Sequence, residues 1–162
     1  MAADKRENSP EARWSNWEQA MVPGSTATAR FKPRGENQDG LICSNITNAF
    51  PGQAQRCGIY EWQARKSGQP DRVVYVGSTC RGKVGGLRKR ILEYCRNGSH
   101  KETLINGALR KGYELWVRVQ VVERPYPDGR EDAQELENYF LDRYDYAWNK
   151  RRNGDRTRNI LP

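Results

Sequence analysis

The acidic residue Glu137 occupies a position in the sequence where an isolated charge is costly. Apolar residues recur at helical spacing after Asp128, and the stripe that they form comprises Ala133, Leu136, Phe140 and Tyr144. At about 100° per residue, Glu137 projects within that stripe, between the directions of Ala133 and Leu141. A carboxylate on the core side of a helix must pair with a cation, take up a proton or bind a metal ion. The spacing therefore indicates either an ion pair with an arginine or a metal ligand.

A second position of interest is Arg90, in a helix predicted after the polar stretch 78–83. The apolar stripe of this helix comprises Val84, Leu87, Ile91 and Cys95. Arg90 and Tyr94 lie one turn apart at the edge of the stripe, so they face sideways rather than straight out into water. An edge position lets both side chains reach a cleft beside the core, although an arginine there can also extend to reach water.

Two tyrosines are predicted on neighbouring strands of a β-hairpin. The stretches 57–62 and 73–77 are rich in β-branched and aromatic residues, and residues 66–71 between them have the composition of a turn. Such a hairpin places Tyr60 and Tyr75 on adjacent strands, where cross-strand neighbours touch. Tyrosines also occur in strands for packing alone, so the hairpin by itself leaves both interpretations open.

The balance of charge favours a polyanionic partner. The 162 residues suffice for one domain and carry a net charge of +8. Residues 81–111 alone contain nine basic and two acidic residues. A concentrated basic stretch is a stronger indication of nucleic-acid binding than the overall charge, with a solvated basic face as the alternative.

The sequence argues against a membrane protein and against a structural zinc site. It contains no signal peptide and no apolar run long enough to cross a bilayer, so an intracellular location is expected: the nucleus in a eukaryote, otherwise the cytoplasm. The cysteines form no Cys-x-x-Cys pair, which disfavours zinc and predicts reduced thiols at Cys43, Cys57, Cys80 and Cys95.

The elements that would position these residues form an α+β domain. Besides the hairpin, strict alternation predicts a third strand over 113–122. A further helix is predicted from Ser99, with His100 at its first helical position. Because three strands cannot hide their apolar face alone, helices must cover the sheet. The expected fold is therefore a small three-stranded antiparallel or mixed sheet flanked by helices.

Both ends of the chain are predicted to differ from this central domain, which covers residues 57–150. Residues 1–56 are expected to form an N-terminal extension that begins with a short helix over 11–21. That helix would place Trp14, Trp17 and Met21 on one face, and a long loop or arm over 22–56 would follow it. Residues 151–162 are predicted to be a basic tail that either touches phosphates or is a solvated terminus.

With these residues in order, the chain resembles the GIY-YIG nuclease superfamily from residue 57 to about 150. Gly58-Ile59-Tyr60 corresponds to the first name motif and Tyr75-Val76-Gly77 to the second, with valine in place of isoleucine. Arg90, with Tyr94 one turn later, also corresponds to a family position, and so do Glu137 and Asn149. His100 stands where homing endonucleases carry a second histidine. The N-terminal extension and long hairpin connector are reminiscent of restriction-enzyme members and of plant effector-of-transcription proteins.

The resemblance implies a metal-dependent DNA endonuclease. Glu137 would hold Mg²⁺ or Mn²⁺, and Arg90 would brace the phosphate. Tyr60 would act as the general base or position the water, either with a pKa lowered by neighbouring cations or as a proton relay. Tyr75 would orient the water. The alternative is a non-cleaving DNA-binding or transcription-regulatory module that retained the fold.

The resemblance also assigns supporting roles. Tyr94 and His100 would hold the phosphate, or His100 would share the role of base. Asn149 would brace the site, and Gly77 would allow the backbone to approach a phosphate. The residues expected to bind flanking DNA phosphates are Lys83, Arg88, Lys89, Arg151 and Arg152.

Overall fold

The computed structural model describes residues 14–23, 56–82, 86–95 and 100–162. Within these ranges the chain forms four strands: β1 (Glu18–Met21), β2 (Cys57–Arg65), β3 (Arg72–Cys80) and β4 (Glu114–Val121). The helices in the same ranges are α1 (Gly86–Tyr94), α2 (Glu102–Arg110) and α3 (Gly129–Arg143). None of these described helices has the length and apolar character needed to span a bilayer. The predicted loop or arm over 22–56 lies almost entirely outside the described residues.

All four strands belong to one antiparallel sheet with the order β1-β4-β2-β3. β2 is an inner strand, and every residue from Cys57 to Ala64 is buried, because helices cover both faces of the sheet. The α+β fold predicted from the sequence is confirmed, and the sheet has a fourth strand, β1, in addition to the three that were expected.

The N-terminal helix predicted over residues 11–21 is wrong where the structure describes it. The chain forms β1 there, which pairs with β4. Just before β1, the Ser15 amide donates to the Val119 carbonyl (2.8 Å), and the Ser15 hydroxyl accepts from the Val119 amide (2.9 Å). A helix this short is marginal in water, whereas the free edge of β4 offers unpaired backbone groups to a strand. Pairing with the sheet therefore overrides the helical spacing of the apolar residues.

The two faces of the sheet are covered by different helices. Helices α1 and α2 pack on the face that carries Tyr60, whereas α3 packs on the face that carries Ile59. Side chains alternate along a strand, so neighbours such as Tyr60 and Glu61 belong to opposite faces. The segment before β1 closes the α3 face, where the ring centroids of Trp14 and Phe140 are 5.2 Å apart.

Strand β3 lies at the edge of the sheet, and the segment after α3 supplies its second neighbour. Asn149 Oδ1 accepts a hydrogen bond from the Val76 amide (2.9 Å), and Asn149 Nδ2 donates to the Val76 carbonyl (2.8 Å). The Trp148 amide donates to the Val74 carbonyl at 2.8 Å. The register of β3 against β2 also shifts by one residue at Val74. These contacts fix the backbone on both sides of Tyr75.

Cys57 and Cys80 form a disulfide, which corrects the expectation of reduced thiols. They are the first residue of β2 and the last of β3, and they lie directly opposite each other in the ladder with Cα atoms 4.2 Å apart. The spacing of these two cysteines in the sequence does not indicate that they pair, because only the register of the hairpin brings them together. Cys95 is buried, with its Sγ donating to the Ile91 carbonyl at 3.5 Å, and Cys43 lies outside the described residues.

The end of the predicted basic tail packs against the domain. Leu161 is buried, and Ile160 packs against the same core cluster. The Leu161 carbonyl accepts a hydrogen bond from Lys111 Nζ at 2.6 Å. The interpretation of this segment as a solvated terminus is therefore wrong, because apolar residues that follow the basic ones anchor it to the core.

Candidate active site

Tyr60 lies at the centre of the candidate site, on β2 and against β3. It pairs across the ladder with Gly77, and a Cβ atom at position 77 would come within 2.5 Å of the Tyr60 hydroxyl. Gly77 therefore makes room for the phenol, a packing role that the sequence analysis did not foresee. Gly58 is needed for a related reason, since a Cβ atom there would lie 2.3 Å from the Gln120 carbonyl oxygen.

Three phenols and an imidazole form a continuous chain of polar atoms from the core to the surface. The hydroxyls of Tyr60 and Tyr94 are 2.7 Å apart, and the Tyr94 hydroxyl donates to that of Tyr75 at 3.5 Å. The Tyr75 hydroxyl lies 3.3 Å from His100 Nε2. Tyr60 and Tyr94 are buried, Tyr75 is half-buried and His100 is exposed. The chain therefore connects the deepest phenol to solvent.

Arg90 on α1 borders this chain and is held in place by neighbouring charges. Its Nε and Nη2 donate to the hydroxyls of Tyr60 and Tyr94, both at 3.4 Å, and its Nη1 donates to Glu93 at 3.1 Å. Arg81 binds the same carboxylate with hydrogen bonds of 2.7 and 2.8 Å. Hydrogen bonds from Arg81 and then from Arg90 lower the pKa of Glu93 to about 2. Glu93 is therefore ionised at neutral pH and fixes Arg90 facing the phenols.

Burial keeps the phenols of the site protonated. It raises the pKa of Tyr60, Tyr75 and Tyr94 above the value of about 10 that is usual for tyrosine. The Arg90 cation opposes this rise in the pKa of Tyr60 without reversing it. Of the two roles considered for Tyr60, the relay of a proton along hydrogen bonds suits this environment better than a phenolate.

His100 forms the outer end of the chain and is neutral at physiological pH. Burial, followed by the charges of Lys101, Arg90 and Lys150, lowers the pKa of His100 below its usual value of 6.5. A neutral imidazole has a free nitrogen that accepts a proton. The expected position of His100 in the first turn of a helix is wrong, because α2 begins at Glu102 with Lys101 as its N-cap residue.

Glu137 on α3 approaches the site from the other face of the sheet. Its side chain is 14% exposed and accepts a hydrogen bond from Arg151 Nη1 at 3.0 Å, while Asn138 accepts a second bond from the same guanidinium. Burial is the main cause of the raised pKa of Tyr60 and Tyr75, and the Glu137 charge adds to it. The carboxylate therefore acts on both phenols, and the predicted ion pair with an arginine is confirmed.

Asn149 and Lys101 brace the site from behind. Asn149 is buried with its amide bonded to the backbone of Val76, so it holds the strand that carries Tyr75. Lys101 Nζ donates to the Trp148 carbonyl at 2.6 Å and lies 4.9 Å from the centre of the Tyr75 ring. Both residues thus fix Tyr75 relative to the segment that precedes α2.

The cations expected to bind flanking phosphates have different surroundings. Arg88 is half-buried and Lys89 is exposed on α1, whereas Lys83 lies outside the described residues. Arg151 and Arg152 both form ion pairs with acidic residues of α3. The two arginines of the predicted tail are therefore docked on α3 and do not extend freely into solvent.

Sequence reasoning did not identify Arg81, Glu93, Lys101 and Lys150 as parts of the site. Glu93 had a usable signal, since an acidic residue three positions after Arg90 on a helix is placed to pair with it. Lys101 directly follows His100 in the chain, but its bond to the Trp148 carbonyl had no signal in the sequence. Lys150 had none either, because it approaches His100 only when the segment before α2 packs against the segment after α3.

The sheet brings the phenols and the braced arginine into one cluster, and the Glu137 charge on α3 acts on two of the phenols. The family model for GIY-YIG domain-containing proteins matches residues 37–161. The chain therefore belongs to the GIY-YIG family, and the match extends on both sides of the stretch that carried the resemblance. Family membership indicates a nuclease-type function with a nucleic acid as substrate. Comparisons with curated proteins and with solved structures yield no match.

The family implies a divalent metal ion, and the residues present fit an ion that takes most of its ligands from water and substrate. Glu137 offers a carboxylate, and Mg²⁺ is commonly bound through one or two carboxylates and phosphate oxygens with several waters retained. Among the described residues, no group of three or more His, Cys, Asp or Glu side chains is placed to hold an ion. The single Glu137 carboxylate is compatible with this mode of binding.

Proposed function

We propose that this protein is a metal-dependent DNA endonuclease that hydrolyses phosphodiester bonds. One connected group of side chains, two of whose phenols feel the Glu137 charge, carries the proposal: Tyr60, Tyr94, Tyr75, His100 and Arg90. Hydrolysis of a phosphodiester requires a positioned water, an acceptor for its proton and stabilisation of the charge that develops on the phosphate. This group of side chains offers a candidate for each requirement.

Glu137 would hold the divalent ion, Mg²⁺ or Mn²⁺. When bound, the ion supplies positive charge that polarises the phosphate and stabilises the leaving oxygen. The Glu137 side chain is mostly covered by the fold, which supports an orientation that is fixed before the substrate arrives. Helix α3 thus provides a rigid position for the ligand.

Arg90 would stabilise the negative charge that develops on the phosphate. Its guanidinium is charged at any physiological pH, and its planar set of donors suits phosphate oxygens. Glu93 orients the group, but Glu93 is shared with Arg81, so one positive charge remains when the three side chains are taken together. Arg90 is therefore oriented without losing the charge that a phosphate requires.

The proton of the attacking water would leave through the phenols toward His100. As the water oxygen bonds to phosphorus, the bond from phosphorus to the leaving oxygen breaks, and Tyr60 takes the water proton and releases its own to Tyr94. Tyr94 releases a proton to Tyr75, which orients the water and passes its own proton outward. The neutral His100 Nε2 accepts the last proton and becomes an imidazolium that exchanges with solvent. No phenol then has to hold a negative charge, which agrees with their burial.

DNA would lie across the basic surface beside the partly exposed Arg90, with the scissile phosphate on the Tyr60 side of the chain. The cations proposed to contact its phosphates are Lys83, Arg88, Lys89, Lys150, Arg151 and Arg152. Lys150 joins the set because its charge acts on both His100 and Lys101. An intracellular location, in the nucleus of a eukaryote or otherwise in the cytoplasm, is proposed on the same ground of a DNA substrate.

Incubation of supercoiled plasmid with the protein tests the proposal. The wild type is expected to nick the plasmid in Mg²⁺ or Mn²⁺ and to lose this activity in EDTA. Glu137→Ala should abolish nicking, whereas Glu135→Ala, which removes an exposed acid from the same helix, should nick like the wild type. Equal nicking by Glu137→Ala overturns the assignment of the ligand. A wild type that binds plasmid without nicking it points to the non-cleaving module.

A further inference from the structure

Arg151 contacts the carboxylate that the proposed function assigns to the metal ion. Its Nη1 donates to Glu137 Oε2 at 3.0 Å, and its Nη2 donates to Asn138 Oδ1. The two acceptors are consecutive residues of α3, so the guanidinium spans both of them. A cation that already binds Glu137 competes with any second cation for the same oxygen atoms.

The two members of this ion pair differ in exposure. The side chain of Glu137 is 14% exposed, whereas that of Arg151 is 52% exposed. Glu137 is therefore held by the fold, and Arg151 lies on its solvent side, where it can leave without opening the core. Ion pairs with a solvent-exposed partner are weak and are readily exchanged for a stronger ligand.

The backbone on both sides of Arg151 is fixed, so only its side chain has to move. Asn149 is bonded to the backbone of Val76. Asn153 Nδ2 donates to the carbonyls of Tyr146 at 2.8 Å and Asn149 at 2.6 Å. Release of Glu137 therefore requires rotation of one arginine side chain and leaves the rest of the segment in place.

We propose that Arg151 is an exchangeable counter-ion of Glu137. It neutralises the carboxylate in the free protein, yields it to a divalent cation and then binds a phosphate of the nucleic acid. This inference rests on the proposed function, because Glu137 is a metal ligand only there. Metal and nucleic acid would bind cooperatively as a result, since each one favours the released arginine.

Mn²⁺ binding to the protein alone, measured from the electron paramagnetic resonance signal of free Mn²⁺, tests the competition. Arg151→Ala is expected to bind Mn²⁺ about two- to fivefold more tightly than the wild type, because no ion pair has to be broken. Arg152→Ala is the matched control: it loses the same charge from the same segment, but Arg152 Nε donates to Asp142 at 2.9 Å. Its Mn²⁺ affinity should stay near that of the wild type. Glu137→Gln should remove the difference that Arg151→Ala makes.

The outcomes separate this inference from the proposed function. Equal Mn²⁺ affinity of Arg151→Ala and Arg152→Ala, weaker binding by Arg151→Ala, or no binding by either variant overturns the exchange. If the wild type nicks plasmid while those two variants bind Mn²⁺ alike, the nuclease stands and only the exchange is removed. If the wild type does not nick plasmid, the nuclease falls, and tighter binding by Arg151→Ala still supports competition at Glu137.

The cooperative step has its own measurement. Fluorescence anisotropy with a labelled DNA duplex gives the gain in affinity when Ca²⁺ is added as a probe cation. Arg152→Ala loses a proposed phosphate contact with and without Ca²⁺, so it is expected to bind DNA more weakly in both conditions and to show the same gain as the wild type. Arg151→Ala is expected to show a smaller gain. In Ca²⁺, the salt dependence of DNA binding should correspond to about one phosphate contact fewer for Arg151→Ala than for the wild type. If Arg151→Ala shows the same gain as the wild type, the Arg151 guanidinium does not bind a phosphate after it leaves Glu137, and this part of the proposal is overturned.

Discussion

Tyr60 and Glu61 are neighbours on β2, yet they belong to polar clusters on opposite faces of the sheet. On the face covered by α1, Tyr60 joins Arg90 and its acidic partner in the candidate active site. On the face covered by α3, Glu61 accepts hydrogen bonds of 2.9 and 2.7 Å from Arg118 and a further one from Tyr146. Both clusters combine a phenol, a guanidinium and a carboxylate, so their chemistry is nearly the same.

The two clusters differ in access to solvent. Glu61 is fully buried and Arg118 is 2% exposed. The rings of Trp14 and Trp17 cover the Arg118 guanidinium at 4.6 and 4.4 Å. The side chain of Arg90, by contrast, is 27% exposed, and the phenols beside it lead to the surface. The same groups therefore stabilise the fold where they are sealed and can meet a substrate where they are open.

Removal of one hydroxyl from each face gives the strongest test of this contrast. Tyr60→Phe is expected to lower the rate of plasmid nicking by about 10²- to 10⁴-fold, the contribution of a positioned proton-transfer group. Tyr146→Phe removes the hydroxyl bonded to Glu61 and should leave the rate of the folded protein near that of the wild type. Rates are compared in Mg²⁺, with circular dichroism as the check of folding. Equal rates for the two variants contradict a functional difference between the faces.

Neutralisation of one carboxylate in each cluster should lower the free energy of unfolding by different amounts. Glu61→Gln leaves Arg118 buried without an anion and is expected to lower the free energy of unfolding by about 3–5 kcal/mol. Glu93→Gln should cost less than about 1 kcal/mol, because an ion pair with a partly exposed carboxylate is weak. The Glu93 side chain is 34% exposed. Urea unfolding followed by tryptophan fluorescence measures both losses, and a larger loss for Glu93→Gln reverses the comparison.

The open face should also respond to pH through His100. The pKa of His100 lies below 6.5, so the neutral form that accepts a proton is present above that pKa and is lost as the pH falls through it. The nicking rate of the wild type is therefore expected to decline at pH values below 6.5. His100→Asn should be about tenfold slower at neutral pH and should lack this decline. If the pH–rate profile of the variant shows the same decline, another group titrates there.

The smallest expected effect concerns the indoles that seal the other face. Trp17→Leu keeps an apolar side chain but removes the ring stacked on Arg118. The expected cost is about 1 kcal/mol of stability, the contribution of a cation–π contact that is partly shielded from water. Thermal unfolding measures this loss, and plasmid nicking at a temperature where the variant is folded should match the wild type. If Trp17→Leu is fully folded but nicks plasmid slowly, the prediction fails, because the face covered by α3 then contributes to the reaction.

Short-range patterns predicted most of the fold and failed where a distant partner competed with them. The alternation before Val121 and the helical stripe that contains Glu137 both predicted the correct element. The helical spacing of Trp14 and Trp17 did not, because the unpaired edge of β4 attracts that stretch into the sheet. The disulfide was missed because only the register of the hairpin places Cys57 opposite Cys80.

The candidate site divides in a similar way. Periodic spacing predicted the strands that carry Tyr60 and Tyr75 and the helix that carries Arg90, and the resemblance to the family assigned these residues to one site. The particular partners of the site were not predicted: Arg151 is 14 residues from Glu137 in the chain, and Arg81 is 12 residues from Glu93.

The motifs along the chain pointed to the family, and the spacing of apolar residues gave the α+β class and the elements that carry the phenols, the arginine and the acid. The packing of the elements was needed to pair Glu137 with Arg151, to bond Asn149 to Val76 across 73 residues, and to leave one polar cluster open while sealing the other. The reason is physical. Periodicity is a local property that sets the direction of a side chain, whereas its partner and its exposure depend on which distant segment packs against it.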